Sequence, residues 1–283
     1  MKLAEIVRRQ ELRRRAKNGD VQAWVSLGES YDFKPPKDRR RAAYCYRRAA
    51  EHGDTEAQNR LGELSRDVLG DHKEAVFWFR RAVDGGHREA AVSLGAALYY
   101  GNGIPRDPLA AVKLYRAAAR RGSRPAMFNL AHMYRTGDLG KPSWPQAISW
   151  YRKAAVKGHV GAQHWLGRIF GGQEDYRENM KEAVKWLKLA AAAGDAQSQC
   201  DLGVRYHEGL GVRRDFKKAA SLYRSAAEQG DSWGQRFLSL CYRDGEGVRR
   251  NTRLAKYWSS RAGTGRKDMA AGRTHRRKTD IPG

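Results

Sequence analysis

Residues 194–229 read GDAQSQCDLGVRYHEGLGVRRDFKKAASLYRSAAEQ, and two amphipathic helices joined by a tight turn account for the whole stretch. Gly194 is suited to close a preceding helix in the left-handed conformation, and Asp195 to cap the next one by accepting from its free amides. Ser198, Leu202, Gly203 and Tyr206 then recur at helical spacing and share one face. Glu208-Gly-Leu-Gly-Val favours a turn over continued helix. Asp215 is placed to cap a second helix whose apolar stripe is Ala219, Leu222, Tyr223, Ala226 and Ala227, ending near Gly230. Such a pair is too short to bury its own stripe and requires neighbours.

The chain supplies those neighbours in register. Turn glycines stand at Gly19, Gly53, Gly86, Gly122, Gly158, Gly194 and Gly230, and first-helix leucines at 27, 61, 94, 130, 166, 202 and 238. Four residues further on come Tyr31, Ser65, Leu98, Tyr134, Phe170, Tyr206 and Tyr242. The second-helix cap reads Asp38, Asp71, Asp107, Ser143, Asn179, Asp215 and Asn251, with an alanine four residues after each. From Asp107 onward the cap advances by 36 residues each time, and the earlier steps are 33 and 36. A fixed period of this size predicts a helical solenoid, in which length reports copy number and the core lies between neighbouring repeats.

The underlying pattern is A-x-x-x-L-G-x-x-Y, a glycine-rich turn, then A-x-x-W-Y-x-x-A-A-x-x-G, as in Ala162 to Gly194 and Ala126 to Gly158. It resembles the Sel-one-like repeat (SLR) family, a relative of the tetratricopeptide repeat, over residues 19–265. The resemblance implies an all-α, right-handed α-solenoid of about seven helix-turn-helix repeats, a tetratricopeptide-like superhelix. It also implies a non-enzymatic adaptor or scaffold that mediates protein–protein interaction, and it says nothing of which proteins.

Outside the repeats, residues 1–18 read as a capping half-repeat. Leu3, Ile6, Val7, Leu12 and Ala16 lie close to one face, and Arg8, Arg9, Arg13, Arg14 and Arg15 crowd the others. Residues 266–283, with Arg273, Arg276, Arg277 and Lys278 and no apolar periodicity, read as a disordered basic tail. The connection from Gln173 to Glu178 is longer and polar and reads as a mobile turn.

Lysine and arginine number 55 against 31 acidic residues, a formal net charge of +24. A surplus this large attracts phosphates, anionic lipid or acidic protein surfaces. Three cysteines, Cys45, Cys200 and Cys241, form neither a C-x-x-C nor an even disulfide framework, which fits a reducing compartment. No run of about 18 apolar residues could span a membrane, and MKLAEIVRRQELRRR lacks the apolar core of a signal peptide. The expected location is cytoplasmic.

Hydrolase, zinc-protease and phosphate-loop motifs are absent, and the three G-x-G turns never extend to the dinucleotide-binding form. The eight histidines show no ligand spacing, with His87 and His159 standing at helix-cap positions. No catalytic residue, metal or cofactor is therefore assigned.

Two features could carry binding. Stacked like tetratricopeptides, the first helices would line a concave groove that is acidic near the N-terminus, at Glu29, Asp32, Glu63 and Asp67. Further on it becomes aromatic and basic, through Tyr99, Phe128, His132, Arg135, His164, Arg168, His207 and Arg243, a surface suited to an extended peptide. The second helices carry a basic ladder of Arg47, Arg80, Arg116, Arg152, Lys188 and Arg224, which could neutralise the phosphates of nucleic acid or another polyanion.

Overall fold

A computed structural model describes residues 2–35, 37–172 and 179–270, and every element among them is helical. The chain divides into two compact units, Met1–Ser143 and Trp144–Gly283. The first holds α1 (Lys2–Lys17), α2 (Val21–Phe33), α3 (Arg39–Glu51), α4 (Thr55–Asp67), α5 (His72–Asp84), α6 (Arg88–Tyr100), α7 (Pro108–Arg120) and α8 (Arg124–Thr136). The second holds α9 (Trp144–Val156), α10 (Val160–Phe170), α11 (Met180–Ala192), α12 (Ala196–Glu208), α13 (Phe216–Glu228), α14 (Ser232–Asp244) and α15 (Thr252–Ala270). Within each unit every helix packs on its sequence neighbours, and in the second unit α12 also touches α10 and α14.

The caps read from the sequence form, with the exception of Ser143, whose side chain does not cap α9. Asp20, Asp54, Asp195 and Asp231 accept from the third amide of their first helices, and Asp38, Asp71, Asp107, Asn179, Asp215 and Asn251 do so for second helices. His87 and His159 do the same through Nδ1, each 3.1 Å from the accepted amide. A second tie recurs in all seven repeats: the backbone N–H of the second-helix cap residue donates at 2.8 Å to the carbonyl of Tyr31, Ser65, Leu98, Tyr134, Phe170, Tyr206 or Tyr242. The bond pins the turn to the end of the first helix and explains why a serine or leucine serves at that register as well as an aromatic.

The core is built from the alanine pairs and one large side chain per second helix. Ala49, Ala50, Ala118, Ala119, Ala154, Ala155, Ala190, Ala191, Ala226 and Ala227 are all buried. Tyr46, Phe79, Tyr115, Tyr151, Leu187 and Tyr223 are buried one helical turn before them. The leucine-glycine pair of the first helix meets that large residue: a Cβ on Gly203 would lie 2.5 Å from the Tyr223 ring. Between repeats, Gln58, Gln163, Gln199 and Gln235 donate their side-chain amides to the carbonyls of Ala50, Ala155, Ala191 and Ala227 at 3.0–3.3 Å. These bonds satisfy helix-end carbonyls buried under the next repeat.

One expectation is overturned in α1. Leu12 and Ala16 are buried as anticipated, but Ile6 and Val7 are 47% and 57% exposed while Arg9 is only 6% exposed. Arg9 donates to Ser30 Oγ at 2.7 Å and to the carbonyls of Ser30 and Lys34, and its guanidinium lies 4.5 Å from the centre of the Tyr31 ring. Glu5 accepts from Ser30 and pairs with Arg9 at 3.7 Å. The docking face is therefore Glu5, Arg9, Leu12 and Ala16, a 4-3-4 spacing whose first half is polar. It uses the long Arg9 stem as packing and its head to close the C-terminal carbonyls of α2.

At the other end α15 runs from Thr252 to Ala270. The Gln173–Glu178 connection and residues 271–283 lie outside the described residues.

Candidate functional site

The basic ladder is exposed throughout, at Arg47, Arg80, Arg116, Arg152, Lys188 and Arg224. Four of its members are engaged locally. Arg47 pairs with Glu74 at 2.6 Å and Arg152 with Glu182 at 3.7 Å, while Arg116 and Arg224 donate to the hydroxyls of Tyr134 and Tyr242 at 2.9 and 2.8 Å. Each contact links a second helix to the next repeat, so part of the ladder is structural.

In the first unit the groove positions are occupied by local networks. The Tyr99 hydroxyl donates to Asp138 at 2.7 Å, and Arg106 both pairs with Asp138 at 3.5 Å and lies over the Tyr99 ring. Arg135 stands 3.1 Å from His132 Nε2, and burial, then the Arg135 charge, push the His132 imidazole below its ordinary pKa. Phe128 is half-buried on α8. At the N-terminal end Asp32, Glu63 and Asp67 pair with Arg39, Arg60 and Arg66, which neutralises much of the expected acidic stretch.

In the second unit His207 pairs with Glu246 at 2.7 Å and Arg243 with its neighbour Asp244 at 2.8 Å. His164 is buried at 7% exposure, with Nδ1 2.8 Å from Ser198 Oγ and 3.4 Å from Asp195. Arg168 lies 4.9 Å over the Trp165 ring. His164 and Arg168 nevertheless form one wall of a cleft of about 420 Å³, whose other walls are Gln197, Cys200, Asp201 and Val204 of α12, and Asp231, Trp233 and Phe237 of α14 and its cap. Spacings of three and four residues put each set on one face of its helix, and three successive first helices bring those faces together. The volume falls in the range of ligand clefts, about 300–1,000 Å³.

Trp233 is 53% exposed and stacks on Phe237 at 6.0 Å, which in turn stacks on buried Tyr223 at 5.1 Å. Burial, with the nearby Asp231 charge in the same direction, raises the Asp201 carboxyl against the pull of His164, Arg168 and Arg205, and burial raises that of Asp231. Burial pushes the Cys200 thiol far up, away from the thiolate form. Among the described residues no group of His, Cys, Asp and Glu could hold a metal ion.

Of the positions expected to bind, the second unit thus brings His164 and Arg168 to one cleft. Asp201, Asp231, Trp233 and Phe237 were not anticipated. For Asp201, Trp233 and Phe237 the signal was departure from the repeat, whereas Asp231 is the recurring cap: the position before the register leucine reads Ser26, Arg60, Ser93, Asn129, Trp165, Asp201 and Phe237, and Trp233 stands where other repeats carry Gln22, Glu56, Glu89, Pro125, Gly161 and Gln197.

Asp195 yields a test of the local electrostatics. Its burial opposes charge, yet hydrogen bonds from His164 and Ser198 outweigh that and hold its carboxyl down to about 2. A depressed folded-state pKa stabilises the fold above the unfolded value of about 3.9 and is lost as pH falls towards 2. Asp195→Asn keeps an N-cap but removes the charge. Urea midpoints of the two proteins should therefore differ at pH 5 and converge as pH approaches 2; a constant offset would contradict the assignment.

A family model described as Sel1 repeat matches residues 26–54, 55–87, 88–123, 124–159, 160–195, 196–231 and 234–265. The chain belongs to the Sel1 repeat family. Solved Sel1 relatives agree. A Sel1 repeat protein from Oxalobacter formigenes is 25% identical, with a TM-score of 0.76, over 87% of this chain and 99% of that one. A protective antigen present in uropathogenic Escherichia coli strains, displaying an SLR fold, is 27% identical with a TM-score of 0.65 over 93% of this chain, which spans only 66% of the antigen. Yeast Tom70, 12% identical with a TM-score of 0.55 over 95% of this chain and 59% of its own, shares the fold alone. No curated protein matches. No described helix is long and apolar enough to cross a membrane.

Proposed function

We propose that this Sel1 repeat chain is a non-enzymatic adaptor that holds a protein partner against the first helices of its repeats. The observation that carries the reading is the cleft of α10, α12 and α14, which sets an exposed tryptophan beside ionic groups on one face of successive repeats. Aromatic and arginine side chains in such a cleft are the residues that anchor an extended peptide. The thiol at its base is too far from ionisation to act as a nucleophile, which supports binding over covalent chemistry.

The exposed ladder and the net charge of +24 favour a second reading, a polyanion contact on the second helices. One experiment separates them. A photo-crosslinking residue is placed at 233 on the first-helix face or at 188 on the second-helix face, in cells that express the protein. Protein adducts from 233 that are weak or absent from 188 are the expected result. Nucleic-acid adducts confined to 188 would replace the adaptor with the polyanion reading.

A further inference from the structure

Asp201 is a half-buried carboxylate in the wall of the α10–α12–α14 cleft, and among the described residues it has no hydrogen-bond or ion-pair partner. Its position in the register is filled by serine, arginine, asparagine, tryptophan or phenylalanine in the other repeats, so packing of the solenoid does not require an acid there. Across the cleft, Asp231 uses Oδ1 to cap α14, 2.6 Å from the Gly234 amide, and receives the Cys200 thiol. His164, Arg168 and Arg205 offset only part of the desolvation of Asp201, and a cation that brings N–H groups to it relieves the remaining cost.

The cleft also offers a surface for the flat part of such a cation. Trp233 is backed by Phe237 and Tyr223, which fixes its ring, and Arg236 already lies 5.6 Å from its centre. Tryptophan is the side chain with the strongest attraction for a guanidinium or ammonium group. Arg168 in the cleft wall and Arg236 beside the Trp233 ring disfavour a second positive charge beside the first.

We propose that the cleft recognises one arginine or lysine side chain, presented by an otherwise neutral or acidic extended segment of a protein partner, with Asp201 and Asp231 as its carboxylate acceptors and Trp233 as its stacking platform. The proposal rests on the adaptor reading and adds the chemistry of what is held. It runs against the net charge of the chain, since a protein at +24 would otherwise select acidic partners.

The test is selection of a random dodecapeptide library, displayed on phage, against the full chain. Fluorescence anisotropy of the selected peptides on wild type, Asp201→Asn, Asp231→Asn and Trp233→Ala follows. Asparagine still caps α14 in Asp231→Asn, and thermal melts check that each variant folds. Peptides sharing one basic residue are expected. Its replacement by glutamine, or Asp201→Asn, should weaken binding about tenfold or more, and the two changes together no further. Peptides that bind this face, losing affinity with Trp233→Ala, but carry no common basic residue or ignore Asp201→Asn would overturn the basic-residue assignment and leave the adaptor reading standing. Selection of no peptide sensitive to Trp233→Ala would overturn both.

Discussion

Gly211→Ala is expected to destabilise the second unit by about 3 kcal/mol, the sum of a left-handed backbone penalty and a forced displacement. Gly211 has φ +74°, and a Cβ there would sit 2.5 Å from the carbonyl oxygen of Met180, the first residue of the preceding repeat's second helix. Gly103 and Gly247 stand in the same relation to His72 and Phe216. The second glycine of each G-x-G turn is thus where one repeat's backbone rests on the next, with no room for a side chain. Gly209→Ala is the control: its φ is +79°, but the nearest atom to an added Cβ is 3.5 Å away, so only the conformational cost of about 1 kcal/mol applies. Urea unfolding of the two variants measures the difference, and equal losses would show that the close approach to Met180 is not restrictive.

Tyr223→Ala should cost about 3–5 kcal/mol, the range for truncating a buried aromatic ring. Tyr223 is 2% exposed, lies against Gly203 of its own repeat and stacks on Phe237 of the next. Removing it opens a void between α12, α13 and α14 that rigid neighbouring backbones cannot close. In a solenoid such a loss is felt first at the adjoining interfaces, so hydrogen exchange should accelerate in α12 to α14 before other helices. Tyr223→Phe, which keeps the ring, is expected to stay within about 1 kcal/mol of wild type. The same substitution to alanine removes the backing of Phe237 and hence of Trp233, so peptide binding at the cleft should fall along with stability. A variant that unfolds as readily as wild type would mean that the aromatic stack is not part of the core.

Helix pairs, their caps and their number were legible because each is a local matter. An aspartate before a first turn, a glycine after a last one and a 3.6-residue apolar recurrence act within a few residues of chain, and a 36-residue period repeats the solution. His87 and His159 show how far this goes, since register alone placed them as caps and both accept the amide that an aspartate would.

What the repeats do to one another was not local and was not legible. The sequence points to Ile6 and Val7 on the docking face of α1, and the carbonyls offered by Ser30 and Lys34 instead draw Arg9 there. His164 reads as a groove histidine and does line the cleft, but its bonds to Ser198 and Asp195 of the next repeat, which bury it, have no local signal. Tyr99, His207 and Arg243 share a register that suits a binding face, yet each is met by a carboxylate, Asp138 or Glu246 from a turn or Asp244 at the end of the same helix. The amino-acid sequence by itself determined the repeat, its helices and its copy number, because periodicity and capping are energies of neighbouring residues. The tertiary structure alone decided which polar groups are satisfied by another repeat and which, like Asp201, are left facing a cleft, because those partners lie about a repeat length away in the chain and no local pattern counts them.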